Sequence, residues 1–183
     1  MKHKVSLSNY KTTLEIGASK WKQTVWYFVN IFFFKNSICL FSFLKVFLLK
    51  CFGAKVGHGV IIKPNVNIKY PWFLEIGDDV WIGEKVWIDN LAFVKIGSNV
   101  CISQGAFLLT GNHNFKEQTF DLIIGKIIIE EGAWIGAQSV VCPGVTCKSH
   151  SVLSVSSVAT KDLDPYCIYQ GNPASKIKER IIL

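Results

Sequence analysis

A chain of 183 residues fits one domain with a small appendage. Half of its residues are hydrophobic and only 18% are charged, which excludes a disordered polypeptide and supplies enough apolar surface for a substantial core. The net charge of +7 suits an anionic partner, but no arginine-rich run or basic–aromatic alternation appears, which argues against nucleic acid.

Residues 1–17, MKHKVSLSNYKTTLEIG, lack the apolar run of a signal peptide. A cytoplasmic setting is expected, with His3 in an unstructured terminus. From Trp21 to Phe52 the chain is rich in aromatic and aliphatic residues and is broken at Lys35-Asn36. Each half is shorter than the roughly 20 apolar residues that span a bilayer, so two short helices are predicted. In the second, Leu40, Phe41, Leu44, Phe47 and Leu48 recur at helical spacing, with Lys45 and Lys50 off that stripe. These helices are expected to cap the domain that follows. The alternative is an interfacial contact with a membrane, because lysines flank aromatic faces. The six cysteines form no CxxC pair and read as small buried apolar residues in a reducing compartment.

At Gly53 the period changes from helical to six. The units IGDDVW, IGEKVW and IDNLAF are followed by IGSNVC and ISQGAF, then by IEEGAW, IGAQSV, VCPGVT, CKSHSV and LSVSSV. An aliphatic residue opens nearly every unit, and small or turn-forming residues occupy the corners. This is the mark of a parallel β-helix. The first residue of each unit points inward and stacks on its equivalents, and strands bond to the coils on either side. The expected organisation is an extension and helical cap over 1–52 and an all-β solenoid over 53–183.

Between Leu109 and Ile127 the rhythm fails, and TGNHNFKEQTFDLIIGK intervenes. So long an insertion must loop out of a stacked coil, and loops on rigid scaffolds concentrate function. It contains His113. The alternative for a loop histidine is a solvated side chain. His58 and His150 fall at corners, where a polar residue simply faces solvent. One loop histidine and no HxxxxH pair give no basis for a zinc site, so no metal is expected. Cys101 and Cys142 have no histidine beside them in sequence, which argues against a nucleophilic thiol.

The stretches VWIGEKVWIDNLAFVKIGSNVCISQGAFLLTGNHNF, IIIEEGAWIGAQSVVCPGVTCKSHSVLSVSSVATKDL and YQGNPASKIKER resemble the left-handed β-helix family of hexapeptide-repeat acyltransferases, nearest to colanic-acid and capsule-type sugar O-acetyltransferases. The likeness spans about Phe52 to Arg180. It implies a left-handed coil, a homotrimer with sites between neighbouring subunits, and acetyl-CoA as co-substrate. It implies O-acetylation of a sugar hydroxyl in surface-polysaccharide synthesis, the acceptor being a sugar, a nucleotide sugar or a lipid-linked glycan. Fold relatives suggest N-acetylation of an amino sugar as the alternative; a non-catalytic scaffold is the other.

By the same resemblance His113 is the general base. A neutral imidazole suits that role near neutral pH, its unperturbed pKa being about 6.5. Ala137 and Val155 match the slim positions beside the pantetheine arm. Thr160 and Lys161 match the family's ATKD-type turn, and Lys178 follows in the tail, where lysine suits a nucleotide phosphate. Asp89 and Asn90 match the acceptor level, although Asp89 also reads as an Asx corner. Gly171, Asn172 and Pro173 read as a structural turn.

Overall fold

The computed structural model describes residues 4–10, 12 and 14–183; His3 lies outside them. From Lys55 the chain winds into a left-handed parallel β-helix of about six turns. Each turn lays one short strand on each of three faces. The first face carries Lys55–Val56, Leu74–Ile76, Val94–Ile96, Ile127–Ile129 and Thr146–Cys147. The second carries Ile61–Ile62, Trp81–Ile82, Cys101–Ile102, Trp134–Ile135, Val152–Leu153 and Cys167–Gly171, with Ala174–Glu179 added antiparallel. The third carries Asn67–Ile68, Trp87–Asp89, Phe107–Leu109, Val140–Val141 and Val158–Ala159.

The six-residue unit is visible atom by atom. Its first residue is the inward one: Ile62, Ile82, Ile102, Ile135 and Leu153 are all fully buried in one column. Burying one such side chain is worth about 1.5–3 kcal/mol. Its fourth residue turns the corner with positive φ, even where it is Lys85 (+59°), Gln138 (+57°) or His150 (+57°). The second is often glycine because coils approach closely there. A Cβ on Gly83 would lie 2.6 Å from the backbone nitrogen of Gln104 in the next coil.

Coil length is not constant. Ile61, Trp81 and Cys101 stack at intervals of 20 residues, whereas Trp134 and Val152 are 18 apart. The two extra residues lie in the corner between the third and first faces, around Tyr70–Phe73 and Asn90–Phe93. Outside the core the faces differ. The first shows a ladder in which Glu75 pairs with Lys55 (3.7 Å) and Lys95 (3.1 Å). The second and third show apolar columns that include the exposed Ile61, Trp81, Trp134 and Trp87.

The chain reaches the first coil through two helices, α1 (Lys20–Val29), extended by a π-helical turn over Asn30–Phe34, and α2 (Ser42–Cys51). Ser19 caps α1 by accepting from the Lys22 amide. The expected capping stripe of α2 holds only in part: Leu48 packs against the core and Leu44 is half-buried. Its inner side is Ser42, Lys45, Val46 and Leu49, while Leu40, Phe41 and Phe47 are exposed.

The reason is polar. The end of a parallel β-helix leaves unpaired backbone groups that an apolar stripe cannot satisfy. Lys45, fully buried, donates to the carbonyls of Ile62 (3.3 Å) and Lys63 (2.9 Å). Burial pushes its ammonium below the ordinary lysine pKa. Ser42 Oγ accepts from the Ile62 amide at 3.0 Å, and Trp26 Nε1 donates to the Ile68 carbonyl at 2.9 Å. Trp26, Phe34 and Leu49 share one continuous core with the coils.

Candidate active site

The interruption after Leu109 is a hairpin held at its neck. Thr110, fully buried, donates through Oγ to the Asp89 carbonyl (2.7 Å) and accepts from the Ala92 amide (3.1 Å). Its own carbonyl accepts from Gly125 N at 2.9 Å, which closes the loop. Gly111–His113 then pairs antiparallel with Leu122–Ile124. At Gly111 the hairpin passes close to Leu91, whose Cδ1 would lie 2.8 Å from an added Cβ.

His113 ends the first strand of this hairpin. Its ring stacks on Phe120, with centroids 4.4 Å apart and planes 9° from parallel. Its Nδ1 lies 2.8 Å from the Phe120 carbonyl oxygen. A carbonyl can only accept, so Nδ1 carries the proton in this bond and Nε2 keeps its lone pair. Phe120 itself adopts φ +53°, a conformation uncommon for an aromatic residue.

A groove of about 720 Å³ runs along the corner between the second and third faces in the later coils. Ala137 and Val155 line it together, with Trp134, Ser154 and Arg180. Trp134 is fastened over the preceding coil by donating Nε1–H to Ser103 Oγ at 2.9 Å. Thr160, Lys161 and Lys178 are exposed and do not line this groove.

Asp89 lies in the strand beside Leu109. Lys69 Nζ approaches its Oδ1 to 2.8 Å, an ion pair of poor hydrogen-bond angle, since that oxygen accepts no directed bond. Asn90 is fully buried, and its amide closes on Tyr70. It accepts from Tyr70 N at 2.9 Å and donates to Tyr70 O at 2.6 Å. Its polar atoms therefore hold the wide corner of the early coils. Among the described residues no three His, Cys, Asp or Glu side chains gather as a metal site needs.

No protein-family model matches the chain. Solved proteins share its fold. A hexapeptide-repeat-containing acetyltransferase of Vibrio cholerae O1 biovar eltor, solved with acetyl coenzyme A, superposes at TM-score 0.80 and 23% identity over 91% of this chain and 92% of that one. The galactoside O-acetyltransferase of Escherichia coli (strain K12) is 31% identical over 135 residues, 72% of this chain and 66% of that protein. WcaF of Escherichia coli (strain K12), named as a colanic acid biosynthesis acetyltransferase, is 36% identical over 165 residues, 90% of this chain and 91% of WcaF. The chain belongs to the hexapeptide-repeat acetyltransferases.

Several features of this acetyltransferase escape sequence reading. The partner of His113 is a backbone carbonyl, which no residue type announces. Arg180 enters the groove by bonding back to the carbonyls of Gly132 (2.9 Å) and His150 (3.1 Å). The N-terminal arm, expected to be unstructured, folds back at Leu7–Asn9: Ser6 N donates to the Gln118 carbonyl at 2.9 Å. Tyr10 stands with its ring centroid 6.0 Å from that of His113.

Other expectations change in detail. His150 is no mere solvent-facing corner, for it stacks on Tyr166 at 4.6 Å and its Nδ1 meets Ser149 Oγ at 2.6 Å. The cysteines are free but not uniformly buried. Cys147 and Cys167 are buried and Cys51 is exposed. Burial pushes the Cys147 thiol up to about 12 and that of Cys142 upward, which disfavours both as nucleophiles.

Proposed function

We propose that this acetyltransferase transfers the acetyl group of acetyl-CoA directly to a sugar hydroxyl, with His113 as general base. The observation that carries the reading is the His113 Nδ1–Phe120 carbonyl bond of 2.8 Å, which in the neutral imidazole puts the lone pair on Nε2, the atom that takes the proton. The acceptor hydroxyl gives its proton to Nε2 as its oxygen attacks the thioester carbonyl. The tetrahedral intermediate collapses, the carbon–sulfur bond breaks, and the imidazolium returns the proton to the departing thiolate of coenzyme A. No side chain is acylated.

The groove along Ala137 and Val155 is the seat of the pantetheine arm. Thr160, Lys161 and Lys178 serve the nucleotide end, where lysines suit phosphates. On the acceptor side, Asp89 sits at the neck of the hairpin through its carbonyl bond to Thr110. It is the group that meets the sugar, and Asn90 supports it by fixing the corner at Tyr70. His113 lines neither this groove nor its neighbour in the early coils, which favours a homotrimer whose sites combine two chains. The apolar outer columns of the second and third faces are the surfaces for that contact. The likeness to WcaF favours an acceptor from surface-polysaccharide synthesis, acetylated on the cytoplasmic side where acetyl-CoA is made.

An amine acceptor would use the same base, so the test must separate the two. Thiol release from acetyl-CoA is followed with hydroxyl sugars and amino sugars, free and nucleotide-linked. The product linkage is then read by mass and NMR. The expected product is an alkali-labile ester. An alkali-stable amide as the preferred product would overturn the hydroxyl assignment, and absence of release with every acceptor class would favour a scaffold.

A further inference from the structure

The cap turns one side to the first coil and leaves the other uncovered. Trp21, Phe28 and Phe32 from α1 and its π turn, and Phe41, Phe43 and Phe47 around α2, are between 52% and 76% exposed. None of them belongs to the core or packs against it. The unpaired groups of the first coil are met by Lys45, Ser42 and Trp26 on the opposite side. An uncovered apolar surface of this extent marks an interface.

Charge says which kind. Residues 1–74 carry 11 lysines and one acid, Glu15, while residues 75–183 carry nine basic and twelve acidic residues. The net +7 of the chain is thus +10 over residues 1–74 against −3 over residues 75–183. From Ile16 to Leu74 there is no Asp or Glu at all. Lys20, Lys35 and Lys50 are exposed beside the aromatic residues. An apolar protein partner would account for the rings but not for the missing acids. An anionic bilayer accounts for both. Among the described residues no helix is long and apolar enough to cross a membrane, and two helices of 10 residues each suit a position in the interface.

We propose that the outer side of the α1/α2 cap docks on an anionic lipid bilayer, aromatic rings in the headgroup boundary and lysines against acidic headgroups. The coils then stack away from the lipid. One helix diameter of about 10 Å and two coil spacings of about 4.8 Å set the neck of the hairpin roughly 20 Å from the surface. The docking stands whether or not the acceptor is the one proposed above.

The test is flotation of the full chain with vesicles of phosphatidylcholine, with and without phosphatidylglycerol. Binding to the phosphatidylglycerol vesicles is expected, weakened about tenfold or more by salt or by Lys20→Glu/Lys35→Glu/Lys50→Glu. A similar loss is expected for Phe41→Ser/Phe43→Ser/Phe47→Ser with an unchanged melting temperature, since none of the three is buried. Flotation needs no turnover, so its outcome is independent of the acetyl-transfer chemistry. Wild type that stays unbound at low salt overturns the proposal, as do variants that float like wild type. A serine variant whose sedimenting mass falls would make the surface a contact between copies, and would overturn it too.

Discussion

The regular coils and the hairpin that interrupts them treat polar groups in opposite ways. In the coils almost every group is engaged. Backbone amides pair with the next coil, Thr110 and Ser139 turn their hydroxyls onto carbonyls, and Asn90 closes both ends of its amide on Tyr70. In the hairpin, His113 is held by one ring nitrogen, and the other has no hydrogen-bond partner among the described residues. Apart from Asp89 Oδ1 and Ser151 Oγ, the buried side-chain polar atoms of the coils are paired among the described residues, and a scaffold so tied is rigid enough to hold a loop in a fixed place. With His113 as the proposed base, mutations in the two regions should fail differently, the coils in stability and the hairpin in turnover.

The largest effect belongs to the hairpin. His113→Ala should lower kcat by at least about 10²-fold in thiol-release kinetics, with acetyl-CoA affinity by calorimetry and the melting temperature near wild type. Equal turnover in the variant would remove the base assignment. The coils should give the mirror image. Ile82→Ala empties a fully buried column position and should cost about 2–5 kcal/mol in denaturant melts, while the protein that remains folded keeps its kcat. At the capped end, Lys45→Ala leaves the Ile62 and Lys63 carbonyls without their partner. A loss of about 2–3 kcal/mol is expected there.

Smaller effects sharpen the boundary between the two regions. Val155→Trp fills the groove beside Ala137 and should raise the KM for acetyl-CoA about tenfold with little change in kcat. An unaltered KM would move the donor site elsewhere. Lys95→Ala removes one exposed rung of the first-face ladder and should shift the melting temperature hardly at all, within about 0.5 kcal/mol.

What could be read from the sequence follows the same division. The period of six names Ile82, Ile102 and Ile135 as core because a repeat imposes one environment on every equivalent position. It also exposes the hairpin, since the period stops at Thr110. The α2 surface was misread because helical periodicity assumes that an end needs only apolar cover. Lys45 shows that this end also needs donors, and a lysine at a helical position does not reveal whether it faces solvent or carbonyls. Serine substitution of Phe32, Phe33 and Phe34 together would strike the core, because Phe34 is fully buried and of the three only Phe32 is exposed. Asn90, matched by resemblance to the acceptor level, and His150, placed at a corner of the repeat, both meet neighbours that lie 20 and 16 residues away. The Phe120 carbonyl was illegible for a simpler reason: every residue has one, and only the fold decides which of them meets an imidazole.

The central claim is that the hairpin fixes His113 as the Nδ1–H tautomer with Nε2 free to take a proton. Long-range ¹⁵N–¹H correlation spectra of selectively labelled protein at neutral pH read this directly. The expected pattern is a protonated Nδ1, and an Nε2 with the shift of a nitrogen that keeps its lone pair. A proton found on Nε2 instead would turn the lone pair toward the Phe120 carbonyl, leave no base facing the acceptor, and contradict the mechanism.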